Sequence, residues 1–318
     1  MKFSRLAVTF VSLLIWHAPA YAIVTEPDAN GVEMPLPSSN YVARWGLNAS
    51  GFAVSPRLLI TSAHGWGGAW GVTIAGEYRL ICSWEKHPSA DPSRSTWGLD
   101  VGVAKLCNDQ QDFPGFYPIH RGTPAAGRSL LLGGAGLKRG PPIVNTPSQS
   151  PAGYSTNPNS SREVTYGLNL LDYFAVNPFN PVGSYTGPDL YFDFSPPSAV
   201  GAQPYESGAL EFDSGGLIAV SNRNRWEAIG LVLTGSNSGY YGAFTAGRAL
   251  DRMDVLRWLK QFDSSLCLPD FDGSRTTNID DIFVMLRRWF AAGYDYDDNG
   301  ISTIDDIFIF LSDWFAGC

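Results

Sequence analysis

Asp213-Ser214-Gly215-Gly216 runs directly into Leu217-Ile218-Ala219-Val220, a polar turn from Ser221 to Arg225, and then Trp226-Glu227-Ala228-Ile229-Gly230-Leu231-Val232-Leu233. Two apolar runs of strand length around a polar turn read as a β-hairpin, which places Ser214 at the hairpin's base. Two earlier segments have related character. Leu58-Leu59-Ile60-Thr61-Ser62-Ala63-His64 is an apolar strand closing on small residues and a histidine. Asp100-Val101-Gly102-Val103-Ala104-Lys105-Leu106 is an aspartate opening a strand-like alternation. A serine hydroxyl is a poor nucleophile until a base takes its proton. An imidazole titrates near neutral pH and can be that base. A carboxylate can hold the imidazole tautomer and stabilise the imidazolium that forms. Gly215 and Gly216 let the backbone turn tightly after Ser214.

Together these segments resemble the trypsin/chymotrypsin-like serine peptidases. Thr61-Ser62-Ala63-His64 stands where that family has Thr/Ser-Ala-Ala-His, and Asp213-Ser214-Gly215-Gly216 matches its nucleophile motif. Asp100 to Leu106 stands where the family has Asp-Ile-Ala-Leu-Leu-Lys-Leu, and the order His, Asp, Ser is the family's order. Tyr241-Gly242-Ala243-Phe244-Thr245 is similar to its final strand. Leu250 to Phe262 carries apolar residues at helical spacing and resembles its C-terminal helix. The likeness covers residues 41–262. It implies a mainly β fold of two packed six-stranded antiparallel β-barrels with a C-terminal helix. It also implies a serine endopeptidase that cuts a polypeptide substrate through an acyl-enzyme, with His64, Asp100 and Ser214 catalytic and no cofactor for the chemistry.

The same resemblance assigns the surrounding parts. The oxyanion hole would use the backbone N–H groups of Phe212 and Ser214, although the family nearly always has Gly at position 212. A glycine-only conformation there would cost Phe about 1–2 kcal/mol or rotate the donor away. Leu233 stands near a family serine that contacts the triad aspartate, and Gly65 replaces a common cysteine. Gly208 lies at the floor of the specificity pocket, with Gly235 and Gly242 on its walls. An uncharged, apolar or aromatic substrate side chain is therefore expected, unless Glu206 turns inward. A reading of a different class is a protease-shaped binding protein that has lost turnover through Phe212.

Residues 1–22 read as a signal peptide: Lys2 and Arg5 start it, Leu6 to Trp16 form its apolar core, and Ala20-Tyr21-Ala22 is a small-x-small cleavage site. The core is too short for a membrane anchor. The protein is expected to be secreted or attached to a cell surface, with residues 23–264 as the peptidase domain. Cleavage after Ala22 exposes Ile23-Val24. Activated trypsin-like enzymes also begin Ile-Val, and their terminal ammonium pairs with the aspartate before the catalytic serine, here Asp213. The four cysteines allow three pairings. Cys82 with Cys107 inside the first barrel, and Cys267 with Cys318 around the C-terminal segment, are favoured.

Net charge is −8, of which −7 falls between Pro269 and Cys318, a stretch with ten Asp and three Arg. There is no basic stripe, so nucleic-acid binding is not suggested. The acidic segment is a repeat of period 25: Ile279-Asp280-Asp281-Ile282-Phe283 returns as Ile304-Asp305-Asp306-Ile307-Phe308, and Trp289-Phe290 as Trp314-Phe315. Each unit is an acidic loop followed by an amphipathic helix. Calcium takes several oxygen ligands, and loop positions 1, 3, 5 and 12 supply side chains for it. The first loop offers Asp270, Asp272, Ser274 and Asp281, with Arg275 at the turn. The second offers Asp295, Asp297, Asn299 and Asp306, with Gly300 at the turn and the carbonyl of Ile301. The plainer reading is an acidic loop capping a helix. Residues 268–318 resemble a dockerin of the type that ends exported bacterial proteins. That implies a small duplicated α-helical module holding structural calcium and docking on a cohesin-like or cell-surface partner. Ile282, Leu286, Trp289 and Phe290, with Ile307, Leu311, Trp314 and Phe315, are expected to form the helices' mutual core. Arg139 to Arg162 reads as a long surface loop, and His87 and His120 as surface histidines.

Overall fold

In a computed structural model the described residues are 23–27, 32–46, 49–65, 70–90, 99–122, 124–144, 152–157, 162–174, 190–235, 239–274, 276–299 and 301–318. The expected signal peptide, Arg275 and Gly300 lie outside them. Among the described residues the chain is mainly β with three helices. Six strands close a barrel in the order Val42–Trp45, Ala49–Ala53, Leu58–Thr61, Gly102–Leu106, Glu77–Lys86, Gly71–Ile74, and back to Val42–Trp45. Its interior is filled by side chains such as Trp45, Leu59, Val72, Ile74 and Ile81. Cys82–Cys107 links the strand Glu77–Lys86 to the residue after Gly102–Leu106.

The expected second closed barrel is instead an open seven-stranded sheet. Its order is Thr165–Leu170, Ser129–Gly134, Leu217–Asn222, Arg225–Gly235, Phe244–Ala249, Leu190–Asp193, Tyr173–Phe174. The hairpin after Ser214 forms as read. Asn222 pairs with Arg225, and the two turn residues, Arg223 and Asn224, have φ of 47° and 62°. Positive φ at both central positions is the turn whose twist suits a two-residue hairpin. The final strand begins at Phe244, three residues later than its sequence suggests, because Gly239–Tyr240 pair with another sheet and Tyr241 and Gly242 form a turn. The stretch expected to be a loop from Arg139 to Arg162 contains two strands, Lys138–Pro142 and Gly153–Asn157, which pair with each other and with Gly239–Tyr240. Backbone pairing there overrides a composition rich in proline, serine and glycine.

Helix α1, Met253–Lys260, follows the sheet. Helices α2, Ile279–Ala292, and α3, Ile304–Ala316, are related by the 25-residue repeat. Both open on a capping box, Asn278 with Asp281 and Thr303 with Asp306. The repeat is also visible in two matching bonds: Trp289 Nε1 donates to Thr303 C=O at 3.0 Å, and Trp314 Nε1 to Asn278 C=O at 2.9 Å. Ile282, Leu286, Trp289, Ile307, Leu311 and Trp314 pack into the shared core. Phe290 and Phe315 do not; they are 76 % and 78 % exposed. Adjacent helical residues point about 100° apart, so Phe290 cannot share the face of Trp289. Cys267–Cys318 closes the segment.

The C-terminal helices are not hung on a bare tether. Met253 and Leu256 of α1 are buried in one cluster with Leu268, Phe271, Met285, Tyr296 and Phe310. Arg121 reaches across: its Nε donates to Asp251 at 2.8 Å, its Nη1 to Leu268 C=O at 2.7 Å, and its guanidinium lies 4.5 Å from the Phe271 ring centre. Arg288 of α2 meets the other Asp251 oxygen at 3.1 Å. Among the described residues, no helix is long and apolar enough to cross a membrane.

Candidate functional site

The strand Leu58–Thr61 ends three residues before His64, and the strand Gly102–Leu106 begins two residues after Asp100. These strands are paired, Thr61 opposite Gly102, so their ends bring histidine and aspartate together. His64 Nδ1 bonds to Asp100 Oδ2, and the His64 backbone N–H donates to Asp100 Oδ1 at 2.8 Å. Asp100 is 7 % exposed. His64 Nε2 lies 2.9 Å from Ser214 Oγ. Ser214 precedes a strand of the sheet, and the Leu233 carbonyl, 3.1 Å from Oγ, is a second acceptor for the same hydroxyl hydrogen. The three side chains picked out in the sequence therefore form one continuous hydrogen-bonded line.

Gly215 is where a side chain is excluded. Its φ is 84°, and a Cβ there would sit 2.3 Å from both Ser50 O and Thr61 Oγ1. Asp213 N–H closes a turn onto Leu210 C=O at 3.2 Å. Phe212 lies inside that turn with φ of 72°. A non-glycine residue in the left-handed region costs about 1–2 kcal/mol, so the strain expected at this position is present. Among the described residues, neither the Phe212 nor the Ser214 N–H donates a hydrogen bond.

Two residues that hold this turn were missed in the sequence. Ser50 is fully buried in the first barrel. Its N–H donates to Ser214 C=O at 2.9 Å, its hydroxyl donates to Phe212 C=O at 3.1 Å, and that hydroxyl accepts from Ala135 N–H at 2.8 Å. Arg162 lies over the Phe212 ring at 5.2 Å and donates to Ala135 C=O and Ala49 C=O. Nothing local marks either residue, because their partners are distant in the chain. Asp213 is fully buried, and burial pushes its carboxyl up to about 7 against the N–H bonds from Leu210 and Gly136 and the charge of Arg162. Ile23 is buried near it, and its peptide N–H donates to Thr165 Oγ1 at 2.6 Å rather than to Asp213.

Around the expected pocket, Gly208 faces Phe194, whose Cβ lies 3.1 Å from where a Gly208 Cβ would be. Gly235 approaches the carbonyls of Phe244 and Ala209, and Gly242 has φ of 81° with open space beside it. Glu206 is 2 % exposed and accepts from the Gln203 N–H at 2.6 Å. Burial pushes its carboxyl up to about 7, despite the bonds it receives from the Gln203 and Ser195 backbone; Asp193 and Asp172 add to the rise. His87 and His120 are not surface histidines. His87 is buried against Trp258, and burial lowers it to about 4. His120 Nδ1 meets the buried Glu227 at 2.7 Å.

The acidic loops gather as spaced. Carboxylate oxygens of Asp270, Asp272 and Asp281 lie within 4.8 Å of one another, as do those of Asp295, Asp297 and Asp306, and either group could hold a metal ion. Asp281 and Asp306 are fully buried and also receive backbone N–H bonds, from Asp272 and Asn278 and from Tyr296, Asp297 and Thr303. Ser274 and Asn299 sit at the loop centres, each donating its N–H to the aspartates at loop positions 1 and 3. The Ser274 hydroxyl bonds to the Thr276 carbonyl, and Asn299 Oδ1 accepts from the Ile301 N–H. Ile301 itself is 65 % exposed. An all-oxygen donor set suits a hard cation and not a thiolate- or imidazole-seeking metal. The capping role and the cation role use the same carboxylates.

No protein-family model matches the chain, and no curated protein matches it either.

Proposed function

We propose that the chain is an exported serine endopeptidase. One observation carries the reading: Asp100, His64 and Ser214 stand in one hydrogen-bonded line. His64 takes the Ser214 proton as Oγ attacks a peptide carbonyl. The oxyanion is received by the Phe212 and Ser214 N–H groups. His64 then gives its proton to the leaving amine, and water repeats the sequence on the acyl-enzyme. The two disulfides are consistent with an extracellular protein. The left-handed φ of Phe212 favours a second reading, a homologue with impaired turnover. A fluorophosphonate that labels Ser214 and is excluded by prior proteolytic inhibition supports the first; no labelling of folded protein supports the second.

For the pocket, substrates with Phe, Tyr or Leu before the cut are expected to exceed those with Arg or Lys by at least about tenfold in kcat/KM, because Gly208 at the expected floor brings no acid to pair with a cation. A peptide library that favours Arg or Lys counts against this pocket.

The two acidic loops are proposed to hold calcium, through Asp270, Asp272, Ser274 and Asp281 and through Asp295, Asp297, Asn299, Asp306 and the Ile301 carbonyl. The ion's part is structural: it neutralises carboxylates that otherwise repel. Chelation is expected to lower amide protection over 268–318 by roughly tenfold or more while sparing the first barrel. Equal protection of that segment with calcium and with chelator removes the proposal. The proposed partner of the module is a cohesin-like or cell-surface protein.

A further inference from the structure

Glu26 ends the buried N-terminal segment with its carboxylate between two phenols. The strand Val24–Thr25 pairs antiparallel with Ser207–Gly208, so this segment lies against the backbone of the expected pocket floor. Glu26 N–H extends the pairing, donating to Glu206 C=O at 2.7 Å. Tyr154 Oη then donates to Glu26 Oε1 at 3.0 Å, and Tyr241 Oη to Glu26 Oε2 at 2.6 Å. Both phenols are pushed up in pKa, Tyr154 by burial and then the Glu26 charge, Tyr241 by burial and then its bond to Glu26, so both remain donors at neutral pH.

The two tyrosines belong to one small cluster. Tyr154 is buried with Val24, Phe194 and Leu210, and Tyr241 packs against that group. The Tyr241 ring lies 5.0 Å from Phe194 and 6.4 Å from Tyr154. The backbone follows the same route: Tyr241 N–H donates to Ala152 C=O at 3.0 Å, and Gly242 N–H to Phe194 C=O at 2.8 Å. Phe194 is the side chain that faces Gly208. The segment carrying Gly242 is thus fixed to the pocket floor from one side and to the N-terminal strand from the other.

We propose that Glu26 is a positioning residue: by receiving Tyr154 and Tyr241 it holds residues 240–244 against Phe194, and so sets the width of the pocket for the substrate side chain before the cut. The proposal rests on the peptidase reading for its effect on catalysis. Two phenol donors, one from the strand Gly153–Asn157 and one from the turn after Tyr240, need two acceptors, and a carboxylate presents one on each oxygen. A glutamine presents a single carbonyl acceptor and keeps part of the arrangement. An alanine keeps none, and the buried cluster loses the group that ties its polar ends together.

The test compares full-length Glu26→Ala, Glu26→Gln, Tyr241→Phe and the double variant Glu26→Ala/Tyr241→Phe. Hydrogen exchange reads the Tyr241 and Gly242 amides. Steady-state kinetics read one peptide with Phe before the cut and one with Ala. For Glu26→Ala, amide protection at 241 and 242 is expected to fall by about tenfold. KM for the Phe peptide is expected to rise by about tenfold, with kcat within about threefold and the Ala peptide little changed. Glu26→Gln recovers part of the loss, and the double variant is no worse than Glu26→Ala alone. Unchanged exchange in Glu26→Ala overturns the proposal. So does an equal loss on both peptides, a loss confined to kcat, or full additivity in the double variant. If the wild type neither turns over nor takes a phosphonate label, the peptidase reading fails separately, and the exchange arm alone decides whether Glu26 holds the segment.

Discussion

Replacing Ser214 with alanine is expected to remove peptide and ester hydrolysis, with kcat falling on the order of 10⁴–10⁶-fold, the loss typical when a triad member is deleted. The structure explains why folding should survive. Among the described residues the Ser214 hydroxyl bonds His64 Nε2 and the Leu233 carbonyl; in the variant His64 keeps Asp100, its side chain being 17 % exposed, while the buried Leu233 carbonyl loses this one bond. What holds position 214 is backbone. Its C=O accepts from Ser50 N–H, and Gly215 N–H donates to Val232 C=O at 2.7 Å. The stability change is therefore expected to be about 1–3 kcal/mol, the cost of one buried carbonyl losing its partner. Kinetics and urea unfolding of the same purified variant check both halves. Undiminished turnover removes Ser214 as nucleophile; loss of both activity and fold shows that the side chain had a structural task instead.

Ser214, His64 and Asp100 were legible because each stands in a short segment whose local pattern declares a strand end. Strand pairing then does the assembly: Thr61 opposite Gly102 leaves little freedom in where His64 and Asp100 meet. The clustering of carboxylates in the two acidic loops was legible for a similar reason, since their spacing is a local property. What could not be read are contacts between residues far apart in sequence. Ser50 touches 135, 212 and 214, and Glu26 touches 154 and 241. The strands Lys138–Pro142 and Gly153–Asn157 were hidden by turn-forming composition, because an edge pairing tolerates proline where no ladder N–H is needed. The left-handed turn at Phe212 was legible only as a question, which φ answers. Placing Phe290 and Phe315 in the core was an error of phase. Residues 283 and 290, like 308 and 315, lie seven apart, and all four are exposed on a second stripe beside the buried one.

The expected boundary near residues 264–268 marks a change of sequence pattern, but the packing continues across it, and Asp251 is the residue that tests this. Its side chain is 10 % exposed and lies between Arg121, 5 % exposed, and Arg288, 19 % exposed. Burial pushes the Asp251 carboxyl up, and the nearby Arg288 and Arg121 charges more than offset this, leaving it below the usual carboxylate range. A carboxyl held low in the folded state contributes stability above its unfolded pKa. That contribution is present at neutral pH and fades only as pH falls below the ordinary Asp value through the lowered one. Asp251→Ala at pH 7 leaves Arg121 buried without its counter-ion, which costs about 3–5 kcal/mol. Arg223→Ala is the contrast. It breaks the pair with Asp272, but the Arg223 side chain is 56 % exposed, so about 1 kcal/mol or less is expected. Urea unfolding measures both variants, and hydrogen exchange locates the damage. In Asp251→Ala, protection should fall together in α1 and in residues 268–296, because Met253, Leu256, Phe271 and Tyr296 share one core. A loss confined to the C-terminal loops, or a cost no larger than that of Arg223→Ala, would mean that the two parts are merely adjacent and that the buried arginine finds its compensation elsewhere.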